Sequence, residues 1–174
     1  MKANKFIDQP NPADGDELRA AMRFWATGVS VVTSTDGTLS HGMTVNSFTS
    51  VSLDPPIILV SLEQSTRTHK LVEASGVFGV TILSSEQEAV SNRFAGKDSE
   101  NQDRFAGLDT ERLQTGCPFI RGGLAYVDCR VMSTIAAGVN TIFVAQVVAV
   151  SYGAEGAENG PLLYYRRGYR KVAG

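Results

Sequence analysis

The stretch Val29–Leu62, VSVVTSTDGTLSHGMTVNSFTSVSLDPPIILVSL, decides the fold of this chain. It opens with a β-branched run that ends at Asp36-Gly37, a dipeptide typical of hairpin turns. The chain returns over His41–Val51, and Asp54-Pro55-Pro56 forces a second turn before the apolar strand Ile57–Leu62. Three successive strands joined by turns predict an antiparallel meander.

The sequence before this stretch predicts an arm and a helix. The first dozen residues include Pro10 and Pro12 and show no apolar period, so we assign residues 1–13 to an N-terminal arm and residues 14–174 to one domain. From Asp16 the apolar residues recur at helical spacing, and Gly28 follows just beyond the expected helix end. The face predicted to be apolar comprises Leu18, Ala21, Met22 and Trp25.

Two short helices are expected on either side of a fourth strand, Val77–Leu83. One covers 67–74 and is closed by Gly76, and the other starts at Ser85 with Glu88 as its capping-box partner. Residues from about 96 to 118 are polar, with a helical turn around 101–105, and we expect them to leave the barrel and return to it.

The last three predicted strands differ in how their faces are covered. Leu124–Ser133 alternates, so one face belongs to the core and the other meets solvent or a partner. Thr141–Tyr152 is apolar on both faces, which predicts cover by the core on one side and by a second subunit on the other, as in a homodimer. Leu162–Tyr165 supplies the last strand.

About seven strands with three or four short helices indicate a mainly β protein, an antiparallel barrel with short covering helices. Sixteen basic and eighteen acidic residues give a net charge of −2, which offers no footprint for nucleic acid. No apolar run approaches the roughly 20 residues of a membrane-spanning helix. Cys117 and Cys129 fit no metal or redox spacing, so we expect a cytoplasmic protein.

Two segments are candidates for a binding site. Three hydroxyls and a guanidinium in Ser65-Thr66-Arg67-Thr68-His69 stand at the start of a predicted helix, which suits a phosphate. Without further context a plain helix cap with an exposed arginine is the favoured explanation, because helix starts rich in Ser and Thr are common. Small polar side chains over Thr44–Ser50 would let a flat heterocycle approach the backbone, but an edge strand with a solvated face gives the same pattern. His41 is expected to be an ordinary surface or edge histidine.

These segments occur in a familiar order. The series 24–33, His41–Pro56, Ser65–His69 and Arg93-Phe94-Ala95 resembles the flavin reductase-like family, whose fold is the FMN-binding split barrel. The likeness extends from about residue 18 to residue 169 and includes 103–105, 141–143 and 162–165. It implies an antiparallel split β-barrel with short covering helices. It also implies an enzyme that reduces FMN, or FAD, with NADH or NADPH and supplies the reduced flavin to a partner monooxygenase.

The resemblance also implies site residues. The flavin ring and ribityl chain would meet Thr44, Val45, Asn46, Ser47, Phe48, Ser50 and Val51. The phosphate would meet Ser65, Thr66 and Arg67, and Phe94 and Lys97 would border the flavin. The nicotinamide would meet Asn140, Tyr165, Arg166 and Arg167, the last two of which could equally belong to a solvated basic tail. No residue is assigned to covalent or acid–base catalysis, and no metal is expected.

One motif departs from the family. Its reductases usually carry Gly-Asp-His before the Thr-Ile-Phe strand, whereas this chain has Gly138-Val139-Asn140. Asn140 can donate and accept hydrogen bonds but cannot carry the charge of an imidazolium. Two alternatives therefore stay open: a flavin-binding or electron-carrier protein that does not use nicotinamide, and a barrel that binds no flavin.

Overall fold

The computed structural model describes residues 13–96, 103–153 and 159–172, and these form three helices and twelve strands. The predicted class, mainly β with short flanking helices and antiparallel pairing, is confirmed. Residues 1–12 of the expected arm lie outside the described residues. The helices are α1 (Gly15–Met22), α2 (Arg67–Ser75) and α3 (Glu88–Phe94). The strands are β1 (Thr27–Gly28), β2 (Ser30–Thr35), β3 (Ser40–Val45), β4 (Thr49–Leu53), β5 (Pro56–Glu63), β6 (Val77–Ile82), β7 (Thr110–Arg112), β8 (Pro118–Ile120), β9 (Ala125–Ala137), β10 (Asn140–Tyr152), β11 (Leu163–Tyr165) and β12 (Gly168–Arg170).

The main sheet has seven strands in the order β3-β2-β6-β9-β10-β5-β4. The predicted three-stranded meander is wrong, because its middle strand is divided into β3 and β4, which lie at opposite edges of the sheet. The expected single strand 41–51 is broken at residues 46–48. There the Ser47 hydroxyl donates to the backbone carbonyl of Ser61 on β5, which draws the chain across the barrel from one edge to the other.

The sheet curls around one apolar core. Strands from both halves of the strand order place side chains in the same cluster, which includes Val32, Val45, Val60, Phe78 and Phe143. Only a sheet that bends back on itself can bring its two edges to one interior. β2 is buried along its whole length, since both of its faces are covered.

The segment 103–123 returns to the barrel, as expected, and covers the second face of β9. Tyr126 and Asp128 are therefore buried, although we expected that face to meet solvent or a partner. Asp128 accepts hydrogen bonds from the Thr115 backbone N–H and hydroxyl, and Phe119 packs on Tyr126 with ring centroids 5.8 Å apart. This cover comes from the β7–β8 hairpin, in which β7 is polar and the short β8 is buried, and the expected polar excursion gave no sign of it.

β10 has one buried face, as predicted. Phe143 and Ala145 lie in the core, whereas Val150 and Tyr152 are exposed on the single chain. The strand pairs with β5 and β9, and its register with β9 shifts twice, at Met132 of β9 and at Val148 of β10.

Two of the three helices differ from the prediction. α1 ends at Met22 instead of continuing past Trp25, because Phe24 and Trp25 donate to carbonyls three residues back and tighten the chain into turns. No residue of α1 is buried. α2 agrees with the prediction, with Thr66 as its N-cap and Gly76 as a left-handed C-cap at φ 68°.

α3 starts at Glu88, so the predicted start at Ser85 is wrong. The Ser85 backbone N–H donates to the Gly160 carbonyl and Ser84 forms a bridge with Pro161, and Ser85 lies in a turn that precedes the helix. Gln87 precedes the helix. Its side chain accepts from the Ser84 N–H at 3.1 Å and donates to the Arg121 carbonyl at 2.8 Å.

Both cysteines are buried, and neither forms a disulfide. Burial raises the pKa of the Cys117 thiol to about 11 and raises that of Cys129 further. Among the described residues, no cluster of His, Cys, Asp or Glu could hold a metal ion. None of the described helices combines the length and the apolarity that crossing a bilayer demands.

Candidate functional site: a cationic cleft beside β3 and α2

A cleft of about 620 Å³ lies between β3, the first turn of α2, α3 and the β11–β12 hairpin. This volume is within the range of roughly 300–1,000 Å³ that small-molecule sites occupy. β3 and α2 supply His41, Met43, Thr44, Val45, Asn46, Ser65, Thr66, Arg67, Thr68 and Lys70. The other walls are Val29, Ser91, Phe94, Ala95, Arg104, Tyr164 and Tyr169.

The start of α2 forms one end of the cleft. The Thr66 hydroxyl caps the helix by accepting from the His69 N–H at 3.3 Å, and it donates to the Glu63 carbonyl at 2.7 Å. The first turn of a helix presents backbone N–H groups and the positive end of the helix dipole. Arg67 and Lys70 add two positive charges on the same wall. This end is suited to an anion.

Arg104 contributes a third positive charge to the cleft. One guanidinium nitrogen of Arg104 donates to the backbone carbonyls of Gly42 and Phe94, at 2.9 and 3.1 Å. The neighbouring His41 is half-buried, and its Nδ1 lies 2.8 Å from the Thr68 hydroxyl. Burial and the positive charges of Arg104 and Arg67 lower the pKa of His41 to about 4.

Aromatic rings form the other end of the cleft. Tyr164 and Tyr169 face each other across the β11–β12 hairpin in an edge-to-face contact, with ring centroids 5.6 Å apart. The Tyr169 hydroxyl lies 2.8 Å from the Ser91 hydroxyl on α3. Phe94 is fully buried behind them and packs on Phe105. These contacts keep the rings in place and give a flat ligand an apolar wall.

The chemistry of the lining fits a flavin nucleotide. Among the described residues, the cleft holds the three cations Arg67, Lys70 and Arg104 but no carboxylate. Such a set attracts a phosphate, while the hydroxyl and amide groups of Thr44 and Asn46 can serve the edge of a polar heterocycle. Fold and cleft together define a barrel that binds a small anionic cofactor.

The chain belongs to the flavin reductase-like family, because the family model described as "Flavin reductase like domain" matches residues 22–173. A probable flavin reductase of Rhizobium meliloti is 40% identical over 157 residues. That match covers 90% of this chain but 48% of the relative, so this chain spans about half of the relative's length.

Two further matches cover most of both chains. The reductase subunit HsaB of a flavin-dependent monooxygenase from Mycobacterium tuberculosis is 34% identical, over 91% of this chain and 83% of that protein. The structure of an NADH:FAD oxidoreductase from Streptomyces globisporus, in complex with NAD and FAD fragments, has a TM-score of 0.84 and 31% identity. It covers 96% of this chain and 98% of the other.

The structure brings seven of the expected flavin-site residues together in the cleft: Thr44, Val45, Asn46, Ser65, Thr66, Arg67 and Phe94. Ser47 and Phe48 do not line it, since Ser47 bonds to Ser61 and Phe48 packs against the core. Ser50 and Val51 are exposed on β4. Lys97 lies outside the described residues.

The four expected nicotinamide residues lie in two turns outside the cleft lining. Asn140 follows the β9–β10 turn, whose backbone carbonyls at Val139 and Asn140 accept from the backbone and side chain of Gln64. Arg166 and Arg167 form the β11–β12 turn, and the Arg166 guanidinium lies over the rings of Phe24 and Tyr165. Both turns adjoin segments that line the cleft.

The interpretation of the sequence missed several cleft residues. One of them is His41, which lies on the edge strand β3, as expected, but also lines the cleft. Lys70 carried a signal, because it lies one helical turn after Arg67. Tyr164 and Tyr169 pair across the β11–β12 hairpin, which was not predicted because its turn, Arg166-Arg167, lacks the glycine or asparagine typical of such turns. Arg104 lies within the family likeness at 103–105, but no local pattern shows its contact with Gly42, which is 62 residues away in the chain.

Proposed function

We propose that this protein is a flavin reductase that transfers hydride from NADH or NADPH to FMN or FAD. The observation that carries this proposal is the cleft, which combines Arg67 and Lys70 of α2 and Arg104 of the segment after α3 with an aromatic wall. Family membership supports the same activity. An anion site alone would suit many phosphates, whereas the aromatic end and the polar β3 edge suit a flavin ring.

The residues of this chain bind the flavin and orient its ring. Arg67 and the N-terminal turn of α2 hold the flavin phosphate, with Ser65 and Thr66 beside it. Thr44, Val45 and Asn46 lie along the ring and ribityl chain, and Phe94 limits access of water at the aromatic end. When bound, the flavin supplies the hydride-accepting chemistry, so the protein needs no covalent intermediate.

The nicotinamide approaches from the two turns that flank the cleft. Asn140 offers an amide at one turn, and Tyr165, Arg166 and Arg167 offer an aromatic ring and two cations at the other. Hydride transfer requires the nicotinamide carbon to be held against the flavin ring, and positioning of this kind contributes most of the acceleration that such a protein can supply. Gly138-Val139-Asn140 is therefore the weakest point of the nicotinamide site.

We infer that the reduced flavin is handed to a partner monooxygenase. The relative from Mycobacterium tuberculosis is named as the reductase subunit of such an enzyme, which supports this role.

We also infer a homodimer and a cytoplasmic location. The outer surface of β9 and β10 leaves Met132, Ile135, Val150 and Tyr152 half or more exposed, a set that a second subunit would cover. The mass in solution at micromolar concentration tests the dimer, and a monomeric mass contradicts it. Two buried cysteines without a disulfide agree with a reducing compartment.

The central test is anaerobic flavin reduction. Purified protein is mixed with FMN or FAD and then with NADH or NADPH, and bleaching of the flavin absorbance is followed by stopped flow. We expect reduction far above the rate without protein. Flavin binding without any acceleration by NADH or NADPH would identify an electron carrier, and failure to bind either flavin would remove the proposed function.

A further inference from the structure

His41 occupies an unusual place in the cleft. Its ring lies between α2, where Nδ1 is 2.8 Å from the Thr68 hydroxyl, and the segment that carries Arg104. Thr68 is fully buried, so this contact holds the imidazole at the cationic end of the cleft. The family resemblance gave His41 no role, and binding of a phosphate by α2 does not require a histidine.

The charges that act on His41 are positive. Arg67 on α2 and Arg104 in the segment after α3 both disfavour its proton, and Lys70 lines the same cleft. The described residues of the lining include no carboxylate, and the Glu63 carboxylate, outside this lining, accepts from the Ser65 hydroxyl at 2.8 Å. The proton on the imidazole is therefore disfavoured in the cleft without ligand, at a pKa of about 4. A phosphate dianion placed among these cations reverses the sign of the local field, because it brings about two negative charges.

We propose that His41 is a specificity-determining residue that takes up a proton when the phosphate monoester of the flavin enters the cleft. This inference rests on the proposed function, since it needs a flavin phosphate at the start of α2. In the protonated ring both nitrogens carry N–H, so Nδ1 donates to the Thr68 hydroxyl and the imidazolium adds a fourth positive charge. The proton comes from solvent, and no other bond forms or breaks.

The direction of the pH dependence follows from this proton. His41 binds no proton at neutral pH without ligand and binds one with FMN, so lower pH favours the complex. The dissociation constant for FMN therefore falls by up to about tenfold for each unit by which the pH is lowered, which is the limit for one proton. Riboflavin, which lacks the phosphate, shows no such dependence, because it brings no charge to the imidazole.

The decisive experiment uses the two imidazoles of the whole chain, His41 and His69. Their ring carbon and nitrogen shifts are followed by NMR against pH for the protein alone, with FMN and with riboflavin, and a His69→Gln variant assigns the signals. We expect FMN, but not riboflavin, to raise the pKa of His41 by about three units or more, to neutral pH or above. Calorimetry in buffers of different ionisation enthalpy counts the same proton.

A matched variant separates His41 from other protons. His41→Gln keeps a hydrogen-bonding side chain but cannot become charged, so FMN binding should lose its proton uptake and its pH dependence while riboflavin affinity stays within about twofold. FMN binding with an unchanged His41 titration would overturn the inference and leave the reductase proposal intact. Failure of both flavins to bind would overturn the proposed function instead.

Discussion

Ser47 and Ser61 exchange two hydrogen bonds: the Ser47 hydroxyl donates to the Ser61 carbonyl at 2.8 Å and accepts from the Ser61 N–H at 3.2 Å. This pair stands where the chain leaves β3 and crosses to the other edge of the sheet. Asn46, one residue earlier, is exposed at the cleft. The serine pair therefore fixes the backbone that presents the polar β3 edge to a ligand.

Ser47→Ala should lower the free energy of unfolding by about 1 kcal/mol, because two backbone groups of Ser61 lose their partner. FMN affinity should fall with it, since the backbone at Asn46 loses its anchor. Urea unfolding and fluorescence titration measure the two effects. Ser50→Ala, at an exposed site on β4, is the control and should change stability by less than about 0.5 kcal/mol.

Gly42→Ala should disturb the cleft through Phe94. A β-carbon at Gly42 would lie 2.9 Å from Phe94 Cε1 and 3.1 Å from Thr33 Cγ2, and both neighbours are fully buried. Overpacking of this kind costs about 1–3 kcal/mol, and FMN affinity should decrease because Phe94 must move. Gly15→Ala at the start of α1 meets nothing within 4 Å and should not destabilise the protein. Unchanged stability and affinity in Gly42→Ala would show that Phe94 yields without effect.

Local patterns in the sequence predicted β2, β5, β6 and α2, because each depends on the spacing of neighbouring residues and on a cap or turn close by. The neighbours of each strand could not be predicted in the same way. The crossing at residues 46–48 depends on a hydrogen bond to Ser61, and the burial of Asp128 depends on Thr115 in the polar excursion. Both are tertiary contacts with no local signature.

The candidate site divides in the same manner. Thr44–Asn46 and Ser65–Arg67 stood out because small polar residues run along one strand and precede one helix. From the sequence alone a plain cap was the favoured explanation of the second segment, and a solvated edge was at least as good an explanation of the first. The structure places both segments in one cleft. The side chain of Arg104 and the ring pair of Tyr164 and Tyr169 join them only through the folded chain.

Arg67→Ala should weaken FMN binding by about 1.5–3 kcal/mol, the range for a hydrogen bond to a charged group. Riboflavin should lose little, because it carries no phosphate. Parallel titrations with the two flavins measure the difference, and Arg130→Ala, an exposed arginine on β9, controls for loss of charge. Equal losses for both flavins would mean that Arg67 acts through folding or through the ring site.

Arg167→Gly should stabilise the fold and at the same time weaken the use of nicotinamide. Arg166 and Arg167 have φ of 49° and 62°, and they occupy a two-residue hairpin turn between Tyr165 and Gly168 in which glycine is favoured. Glycine at position 167 should therefore stabilise the fold by about 1 kcal/mol, while loss of the cation raises the KM for NADH.

Arg167→Lys is the matched control for this pair of effects, since it retains both the charge and the left-handed backbone strain. It should keep the stability of the parent and most of its KM. A KM for NADH that stays the same in the glycine variant would place the nicotinamide away from this turn, and thermal unfolding gives the stability in the same preparations.

The Gly138-Val139-Asn140 turn separates flavin binding from nicotinamide use. Its contacts with Gln64 use the backbone carbonyls of Val139 and Asn140, so side-chain substitutions leave them intact. Gly138 keeps the positive φ of 61° that the turn needs, and Val139 is 72% exposed. The double substitution Val139→Asp with Asn140→His should therefore fold normally.

This double variant should raise the rate of anaerobic flavin reduction at a fixed NADH concentration, because a histidine can hold the nicotinamide with a charge that asparagine lacks. Asn140→Ala should lower that rate if the amide already serves this purpose. FMN dissociation constants, measured alongside, should be equal in the three proteins. Identical reduction rates would show that the turn does not meet the nicotinamide, and a parallel shift in FMN affinity would assign it to the flavin site.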